Sequence, residues 1–209
     1  FTVTAKDGQS ANNTASQAFT LTVAAVNDAP VVTNQSVSTS EDTAVQVTLS
    51  ASDVEGDPLT YSIVTGPSKG TASLSGAVVT YSPNADYNGN DSFTFKANDG
   101  KVDSNPGSVS IGVTAVNDAP VFSLSGDVTV AEDFSVTQYV SVTPGTVSTD
   151  ESAQPVTYSI SPTWVNFASV SINGGTGQVS ISSVANLHGS QAFTVTAKDG
   201  QSANNTASQ

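Results

Sequence analysis

Apolar and polar residues alternate with a period of two along most of this chain. Between residues 31 and 120, the alternating segments are 45–49, 59–63, 79–81, 93–97 and 109–113, and the short stretches 36–39 and 71–74 fit the same plan. Runs rich in Gly, Pro, Asn and Asp separate these segments, as expected for turns. Regularly spaced short strands with alternating side chains are typical of a β-sandwich, so we predict about seven strands here. No segment has a convincing helical period.

Residues 121–209 follow a similar plan. The alternating positions are Val128 and Val130, Val140 and Val142, Val156, Tyr158 and Ile160, Val170 and Ile172, Val179 and Ile181, and Phe193, Val195 and Ala197. We expect this domain to lack its final strand. The counterpart of that strand stands near the start of the chain, at Phe19, Leu21 and Val23.

Two repeats explain this arrangement. The 17 residues FTVTAKDGQSANNTASQ occur at 1–17 and again, unchanged, at 193–209, and the motif VNDAP occurs at 26–30 and 116–120. The offsets are 192 and 90 residues, which indicates a tandem array of alternating domains. We therefore predict the last two strands of an upstream domain at 1–29, a complete domain at 30–120, and a domain without its final strand at 121–209.

Composition excludes several function classes. The net charge is −13 and the chain has five Lys, no Arg and no Cys. This charge argues against partners that require a basic surface, namely nucleic acids and anionic lipids. Without Cys, and with a single His, the chain offers neither a disulfide framework nor a zinc site. No apolar run is long enough for a membrane helix, so we expect no membrane insertion in this segment.

Acidic residues gather near the predicted domain ends. The groups are Glu41-Asp42, Asp53-Val54-Glu55-Gly56-Asp57, Ala97-Asn98-Asp99-Gly100 and Asn117-Asp118. Several carboxylates per cluster are the ligands that a hard cation such as Ca²⁺ requires, and without a cation they would repel one another. The alternative is that Asp and Asn simply stabilise turns, and we favour that interpretation for Asp57, Asp86 and Asp103 taken singly.

Several motifs resemble those of cadherins. ASDVEGDPLTYSI at 51–63 resembles the cadherin acidic turn followed by L-x-Y-S-I. KANDG at 96–100 and AKDG at 197–200 resemble the A-x-D-G strand end, and AVNDAP at 115–120 resembles the D-x-N-D-N-x-P linker. YSPNADYNGNDSFTF at 81–95 is similar to the corresponding stretch of bacterial cadherin-like tandem repeats, which occur in large surface or secreted adhesins. PTWVNF at 162–167 makes the second domain similar to the dystroglycan-type variant. The resemblance implies an all-β fold of tandem Ig-like or cadherin-like Greek-key sandwiches.

The same resemblance implies Ca²⁺ as cofactor at each junction. The first junction would use Asn27, Asp28, Asp53, Glu55 and Asp99, and the second would use Glu41, Asn117, Asp118, Asp150 and Asp199. Ala25 and Ala115 replace the first linker Asp of cadherins, which implies fewer ions per junction than in an animal cadherin.

These observations favour a Ca²⁺-stiffened spacer of an extracellular bacterial adhesin or surface fibre, whose partners are neighbouring repeats. We expect no enzymatic activity, because no nucleophile elbow or Ser–His–Asp arrangement is recognisable. One alternative is a module that binds a glycan or surface protein through Trp164, although core packing is expected for that residue. Another is a filament of identical chains, in which residues 18–26 complete the open domain of a neighbouring chain.

Overall fold

A computed structural model describes residues 1–8, 14–147, 151–202 and 205–209. Throughout these ranges the regular secondary structure is β-strand, which confirms the predicted all-β class. No helix in the described ranges is both long enough and apolar enough to cross a membrane.

The first segment of the chain is a hairpin. Strands β1 (Thr2–Lys6) and β2 (Thr14–Ala18) pair antiparallel, with Thr2 opposite Ala18. The second strand thus lies earlier than the alternation of Phe19, Leu21 and Val23 predicted. The register explains the difference. The amide of Phe19 still bonds the carbonyl of Phe1 at 3.1 Å, and residues 20–23 would need partners that precede Phe1 in this register.

Strands β3–β11 form one domain between Val31 and Thr114. Their bounds are β3 (Val31–Val32), β4 (Gln35–Ser40), β5 (Val45–Thr48), β6 (Ala51–Ser52), β7 (Thr60–Thr65), β8 (Gly70–Ser75), β9 (Val78–Pro83), β10 (Gly89–Asn98) and β11 (Gly107–Thr114). One sheet has the order β4-β11-β10-β7, and the facing sheet has the order β5-β9-β8. The short strands β3 and β6 form a separate pair. The seven longer strands match the seven predicted ones.

The core of this domain follows the alternation. The largest fully buried side chains are Tyr81, Phe93, Phe95, Ile111, Val79 and Val109. Burying one such side chain stabilises the fold by about 1.5–3 kcal/mol. Val47 is also buried, whereas Tyr61 is half-buried and its ring centroid lies 6.4 Å from that of Phe95.

Strands β12–β19 form a second domain between Phe122 and Ser208. Their bounds are β12 (Phe122–Leu124), β13 (Gln138–Val140), β14 (Val142–Pro144), β15 (Thr157–Ser161), β16 (Ala168–Ile172), β17 (Val179–Ser183), β18 (Thr194–Lys198) and β19 (Thr206–Ser208). They pair as β12-β14, β13-β17-β16 and β15-β18-β19 around a core formed by Phe122, Tyr158, Ile160, Val179, Val195 and Ala197.

Two expectations for this domain are wrong. Val128 and Val130 lie outside any strand, in a described stretch whose counterpart in the complete domain, β4, is held by pairing with β11. Trp164 is 77% exposed instead of packing in the core. The neighbouring Val165 is buried in its place, and adjacent side chains in an extended segment point to opposite sides.

A buried carboxylate joins the two sheets of the complete domain. Asp91 on β10 is 8% exposed, and it accepts hydrogen bonds from the amides of Ser68, Lys69 and Ser92 and from the hydroxyl of Tyr81 at 3.0 Å. Burial alone would raise the pKa of Asp91, but these hydrogen bonds lower it below its ordinary value. Burial and the Asp91 hydrogen bond in turn raise the pKa of Tyr81.

Replacing Asp91 by Asn should lower the free energy of unfolding of this domain by about 1–3 kcal/mol, because an amide cannot satisfy the same set of buried donors. The lowered pKa adds a pH dependence. The carboxylate stabilises fully above its unfolded pKa of about 3.9, and the contribution is lost as the pH falls from there through the folded pKa. Urea titrations followed through the NMR signals of β9 and β10 measure the effect on this domain alone.

The difference between wild type and Asp91→Asn should therefore be large at neutral pH and shrink in acid. Asp127→Asn, which changes an exposed acid of the other domain, serves as the control. Equal stabilities of wild type and Asp91→Asn at neutral pH would contradict this role.

Candidate metal centre

The two linker asparagines make the same contact at both junctions. Asn27 donates from Nδ2 to Oδ2 of Asp99 at 2.8 Å, and Asn117 donates from Nδ2 to Oδ2 of Asp199 at 3.0 Å. Each amide group also reaches the carbonyl of the Asp that follows it in sequence, at 3.2 and 3.1 Å. The linker is therefore tied to the domain that follows it.

Local turn geometry holds the two accepting carboxylates in place. Asp99 and Asp199 follow β10 and β18 at the A-x-D-G ends and are 6% and 4% exposed. Oδ1 of Asp99 accepts the amides of Lys101 and Val102 at 2.7 Å each, and Oδ1 of Asp199 accepts the amide of Gln201 at 2.9 Å. The hydrogen bond from Val102, followed by that from Asn27, lowers the pKa of Asp99 to about 2, so this group is ionised at neutral pH.

The first junction brings together acids from the turn after β6 and the linker. Oε2 of Glu55 accepts the amide of Asp28 at 3.3 Å. Oδ1 of Asp53 accepts the amide of Asp57 at 3.0 Å, while Oδ2 of Asp53 is buried and has no hydrogen-bond partner among the described residues.

A lysine supplies positive charge at this junction. Nζ of Lys101 lies 2.9 Å from Oδ1 of Asn27 and 2.7 Å from Oδ2 of Asp57. The hydrogen bond with Asp57 raises the pKa of Lys101, and the charges of Asp99 and Asp53 act in the same direction. At the second junction the corresponding residue is Gln201, which carries no charge.

Glu41 connects the complete domain to the second linker. This side chain is only 2% exposed, and its Oε1 accepts the amide of Val116 at 2.5 Å. Its Oε2 is buried and has no hydrogen-bond partner among the described residues. A buried charged oxygen without a partner is costly, so this atom fits a position beside a cation.

Three carboxylates meet near the same linker. Oxygen atoms of Asp42, Asp86 and Asp118 lie within 4.8 Å of one another, and no other set of three acidic, His or Cys residues in the described ranges is this compact. From the sequence we expected Asp118 to be a ligand and Asp86 to stabilise a turn. Asp86 lies in the stretch 81–95, which resembles bacterial cadherin-like tandem repeats, and that resemblance was the available signal for its inclusion.

The turns that present Asp42 and Asp86 recur in the second domain. Both residues have positive φ, 57° and 54°, and the amide of Asp86 donates to Oδ1 of Asp42 at 3.2 Å. Asp133 and Asn186 repeat this arrangement with φ of 59° and 55° and a hydrogen bond of 2.8 Å. Asp and Asn tolerate this conformation better than most residues, so the pair has a structural role of its own.

The remaining expected ligands are placed as follows. Asp150 lies outside the described residues. Its neighbour Glu151 is 8% exposed and accepts the amide of Gln154 through its backbone carbonyl at 3.0 Å. Asp199 contacts Asn117, whereas the compact carboxylate set around Asp118 draws on Asp42 and Asp86.

The chemistry of the donors fits Ca²⁺. All the groups concerned offer oxygen, and Glu41 and Asp53 each present a buried oxygen without a hydrogen-bond partner in the described ranges. Ca²⁺ takes six to eight oxygen ligands in flexible geometry, which linker and turn carboxylates can provide.

Comparison with known sequences and structures identifies the fold. The sequence model of a family described as "Bacterial Ig domain" matches residues 27–112 and 117–209. The solved structure of PcdhgB3 EC1-4 has a TM-score of 0.63 at 14% identity, and the match covers 100% of this chain and 54% of that one. Protocadherin Gamma B2 extracellular cadherin domains 3–6 match with a TM-score of 0.50 at 12% identity, over 86% of this chain and 45% of that one. The cadherin-like tandem sandwich expected from the sequence is confirmed.

A curated relative adds a sequence match. Integrin beta-like protein A of Dictyostelium discoideum is 31% identical over 148 residues, which is 62% of this chain. The chain spans only 8% of that relative's length.

Replacing Lys101 by Gln, the residue found at the second junction, should strengthen Ca²⁺ binding at the first junction by about fivefold. The ammonium group of Lys101 competes with a cation for the same carboxylates, so its removal leaves more negative charge available to the ion. Isothermal titration calorimetry with Ca²⁺ measures the change. Lys69→Gln removes the same charge at a residue that lies over the Tyr87 ring, and it should leave the affinity unchanged. An equal increase in both variants, or none in Lys101→Gln, would contradict competition at the site.

Proposed function

We propose that this chain, which belongs to the bacterial Ig domain family, is a repetitive spacer of an extracellular bacterial adhesin or surface fibre whose junctions are stiffened by Ca²⁺. The observation that carries the proposal is the identical linker contact at both junctions, from Asn27 to Asp99 and from Asn117 to Asp199. Each linker thereby docks on the following domain in the same way, as a repeating rod requires. The role is structural rather than catalytic.

The sequence repeats support a function that depends on length. In a tandem array each domain contacts only its neighbours, so copies can be added without disturbing the others. A 17-residue segment that recurs unchanged fits selection for a repeated mechanical unit rather than for a single binding site.

The Ca²⁺ affinity expected of such sites supports an extracellular location. Extracellular Ca²⁺ modules bind with dissociation constants of about 10⁻⁴–10⁻³ M, so their sites are occupied at the Ca²⁺ concentration outside the cell and empty at the concentration inside it. Chains with such sites would stay flexible before export and become stiff afterwards. This behaviour suits a long protein that is secreted in an extended form.

Specific residues would hold the ions. At the first junction these are Asp28, Asp53, Glu55 and Asp99, with Asn27 alongside them. At the second junction the observed geometry favours Glu41, Asp42, Asp86 and Asp118, while Asn117, Asp150 and Asp199 are the further candidates from the sequence. A bound Ca²⁺ would supply positive charge that links carboxylates of the linker to those of the adjoining domain.

Removal of Ca²⁺ should make the chain more flexible, because Asp42, Asp86 and Asp118 would then repel one another. Small-angle X-ray scattering should show an extended rod with Ca²⁺ and a broader distribution of shapes with chelator. Asp118→Asn should resemble the chelated wild type even when Ca²⁺ is present. Asp103→Asn, a change at an acid that contacts Lys96 and Asn98, is the matched control and should behave as wild type.

The sandwich cores should survive chelation, because their apolar packing is separate from the junction. Binding to the folded state alone stabilises by about 2.7 kcal/mol at a hundredfold excess over the dissociation constant, so a shift in unfolding should accompany Ca²⁺. Identical scattering profiles in all conditions, with no calorimetric Ca²⁺ signal, would contradict Ca²⁺ binding at the junctions. These acids would then only stabilise turns.

A second candidate function rests on the exposure of Trp164. An indole that is 77% exposed, beside the half-buried Pro162, offers an apolar platform of the kind on which sugar rings and protein loops pack. This observation favours a binding module in the second domain, which is compatible with a spacer role for the array.

If Trp164 binds a glycan, Trp164→Ala should abolish retention on a polysaccharide affinity gel. Ligand should also protect the wild-type fluorescence from quenching by iodide, since Trp164 is the only tryptophan. Leu187→Ala removes another exposed apolar side chain and should leave retention unchanged. Wild-type protein that passes through a panel of such gels without delay would speak against this function.

A further inference from the structure

One lysine holds the side chain of the first linker asparagine. Nζ of Lys101 donates to Oδ1 of Asn27 at 2.9 Å, while Nδ2 of Asn27 donates to Oδ2 of Asp99 at 2.8 Å. Lys101 stands two residues after Asp99, in the turn that follows β10, and its own amide donates to Oδ1 of Asp99 at 2.7 Å. One turn therefore binds both the nitrogen and the oxygen of the Asn27 side-chain amide.

The same ammonium group reaches another segment of the domain. Nζ of Lys101 lies 2.7 Å from Oδ2 of Asp57, in the turn between β6 and β7, and the charges of Asp99 and Asp53 also act on it. An exposed ion pair by itself stabilises little, and the side chains of Lys101 and Asp57 are 59% and 30% exposed. Lys101 differs from an isolated pair, because its single positive charge joins the linker, the turn before β7 and the turn after β10.

These contacts are of the kind that a bound cation makes. Carboxylates and amide carbonyl oxygens are both ligands of Ca²⁺ in proteins, and here one of each faces the ammonium group. An ammonium group has three N–H donors, and Asn27 and Asp57 accept two of them. A positive charge at this place offsets the repulsion among Asp53, Asp57 and Asp99, so the linker can stay in contact with the domain.

The second domain has glutamine in place of both members of this ion pair. The segment 57–63, DPLTYSI, corresponds to the segment 154–160, QPVTYSI, so Gln154 stands at the position of Asp57. Strand pairing supports this correspondence, because the tyrosine of each segment pairs with the alanine of the A-x-D-G end in its own domain. Four residues after that alanine stand Lys101 in one domain and Gln201 in the other.

The other contacts of the linker are retained at the second junction. Asn117 donates to Asp199 at 3.0 Å, and the amide of Gln201 donates to Oδ1 of Asp199 at 2.9 Å. Oε1 of Gln154 is buried and has no hydrogen-bond partner among the described residues. The two junctions therefore share these hydrogen bonds and differ in charge, because Gln154 and Gln201 replace an ion pair.

We propose that Lys101 takes the place of a cation at the first junction and keeps that linker docked on the following domain in the absence of Ca²⁺. The second junction has a neutral residue at this position and depends on Ca²⁺ for the same docking. This Ca²⁺ dependence rests on the function proposed above, whereas docking by Lys101 does not. The chain thus contains one linker that stays docked without Ca²⁺ and one that docks only when Ca²⁺ is present.

NMR relaxation of the backbone amides in both linkers measures docking. With chelator, the wild-type amides of Asn27 and Asp28 should have order parameters of about 0.85, as in rigid backbone, and those of Asn117 and Asp118 should fall below about 0.6. Ca²⁺ should restore order at the second linker. In chelator, Lys101→Gln should make the first linker as mobile as the second, and Ca²⁺ should order it again.

Lys96→Gln is the matched control, since it removes a lysine that contacts Asp103 and leaves the linker contacts in place. Both linkers should then behave as in wild type. The amide signals of β10 report in each variant whether the domain is folded. A wild-type first linker that is mobile in chelator, or a first linker that stays equally ordered in Lys101→Gln, would overturn the proposal.

The second junction allows the reverse change. Gln154→Asp combined with Gln201→Lys introduces the ion pair of the first domain, and it should keep Asn117 and Asp118 ordered in chelator. A second linker that stays as mobile as in wild type would contradict docking by this pair. If the wild-type second linker does not respond to Ca²⁺ while Lys101→Gln still releases the first linker, the Ca²⁺ dependence is wrong and docking by Lys101 is confirmed.

Discussion

Pairing of β11 on both of its edges is the constraint on which the domain built from β3–β11 depends. Where β11 lies between β10 and β4, three strands are continuous and the core residue Ile111 is buried. Among the strands β12–β19, β18 is half the length of its counterpart β10, and Val128 lies in irregular backbone.

The alternation of apolar and polar residues predicted the strands well wherever a pairing strand is present. Each of the seven longer strands of the complete domain overlaps one of the alternating segments, because one buried face per sheet imposes a period of two. The same pattern failed at Val128 and at Phe19, since alternation says nothing about whether a pairing strand exists. It also failed at Trp164, where apolar character favoured burial but Val165 and Ala168 are the buried residues of that segment.

The junction was predictable only in part. Motif positions gave Asn27, Asp99, Asn117 and Asp199, and the structure brings these into two equivalent hydrogen-bonded pairs. The motif positions did not predict that Asp86 lies close to Asp118, because these two residues are far apart in sequence. Asp91 was missed for a different reason. Its carboxylate is in the same motif as Asp86, but the donors that hold it come from a separate turn before β8.

Four acids with buried oxygen atoms form two pairs that differ in how those oxygens are satisfied. Asp91 and Asp99 accept hydrogen bonds on both oxygens, so backbone and side-chain donors alone account for their burial. Glu41 and Asp53 each accept one amide and keep a second buried oxygen with no partner in the described ranges. Leaving a charged oxygen in that state costs more than one hydrogen bond contributes, unless a cation compensates it. One of these two acids stands near each linker, because Glu41 accepts the amide of Val116 and Asp53 shares a turn with Glu55, which accepts the amide of Asp28.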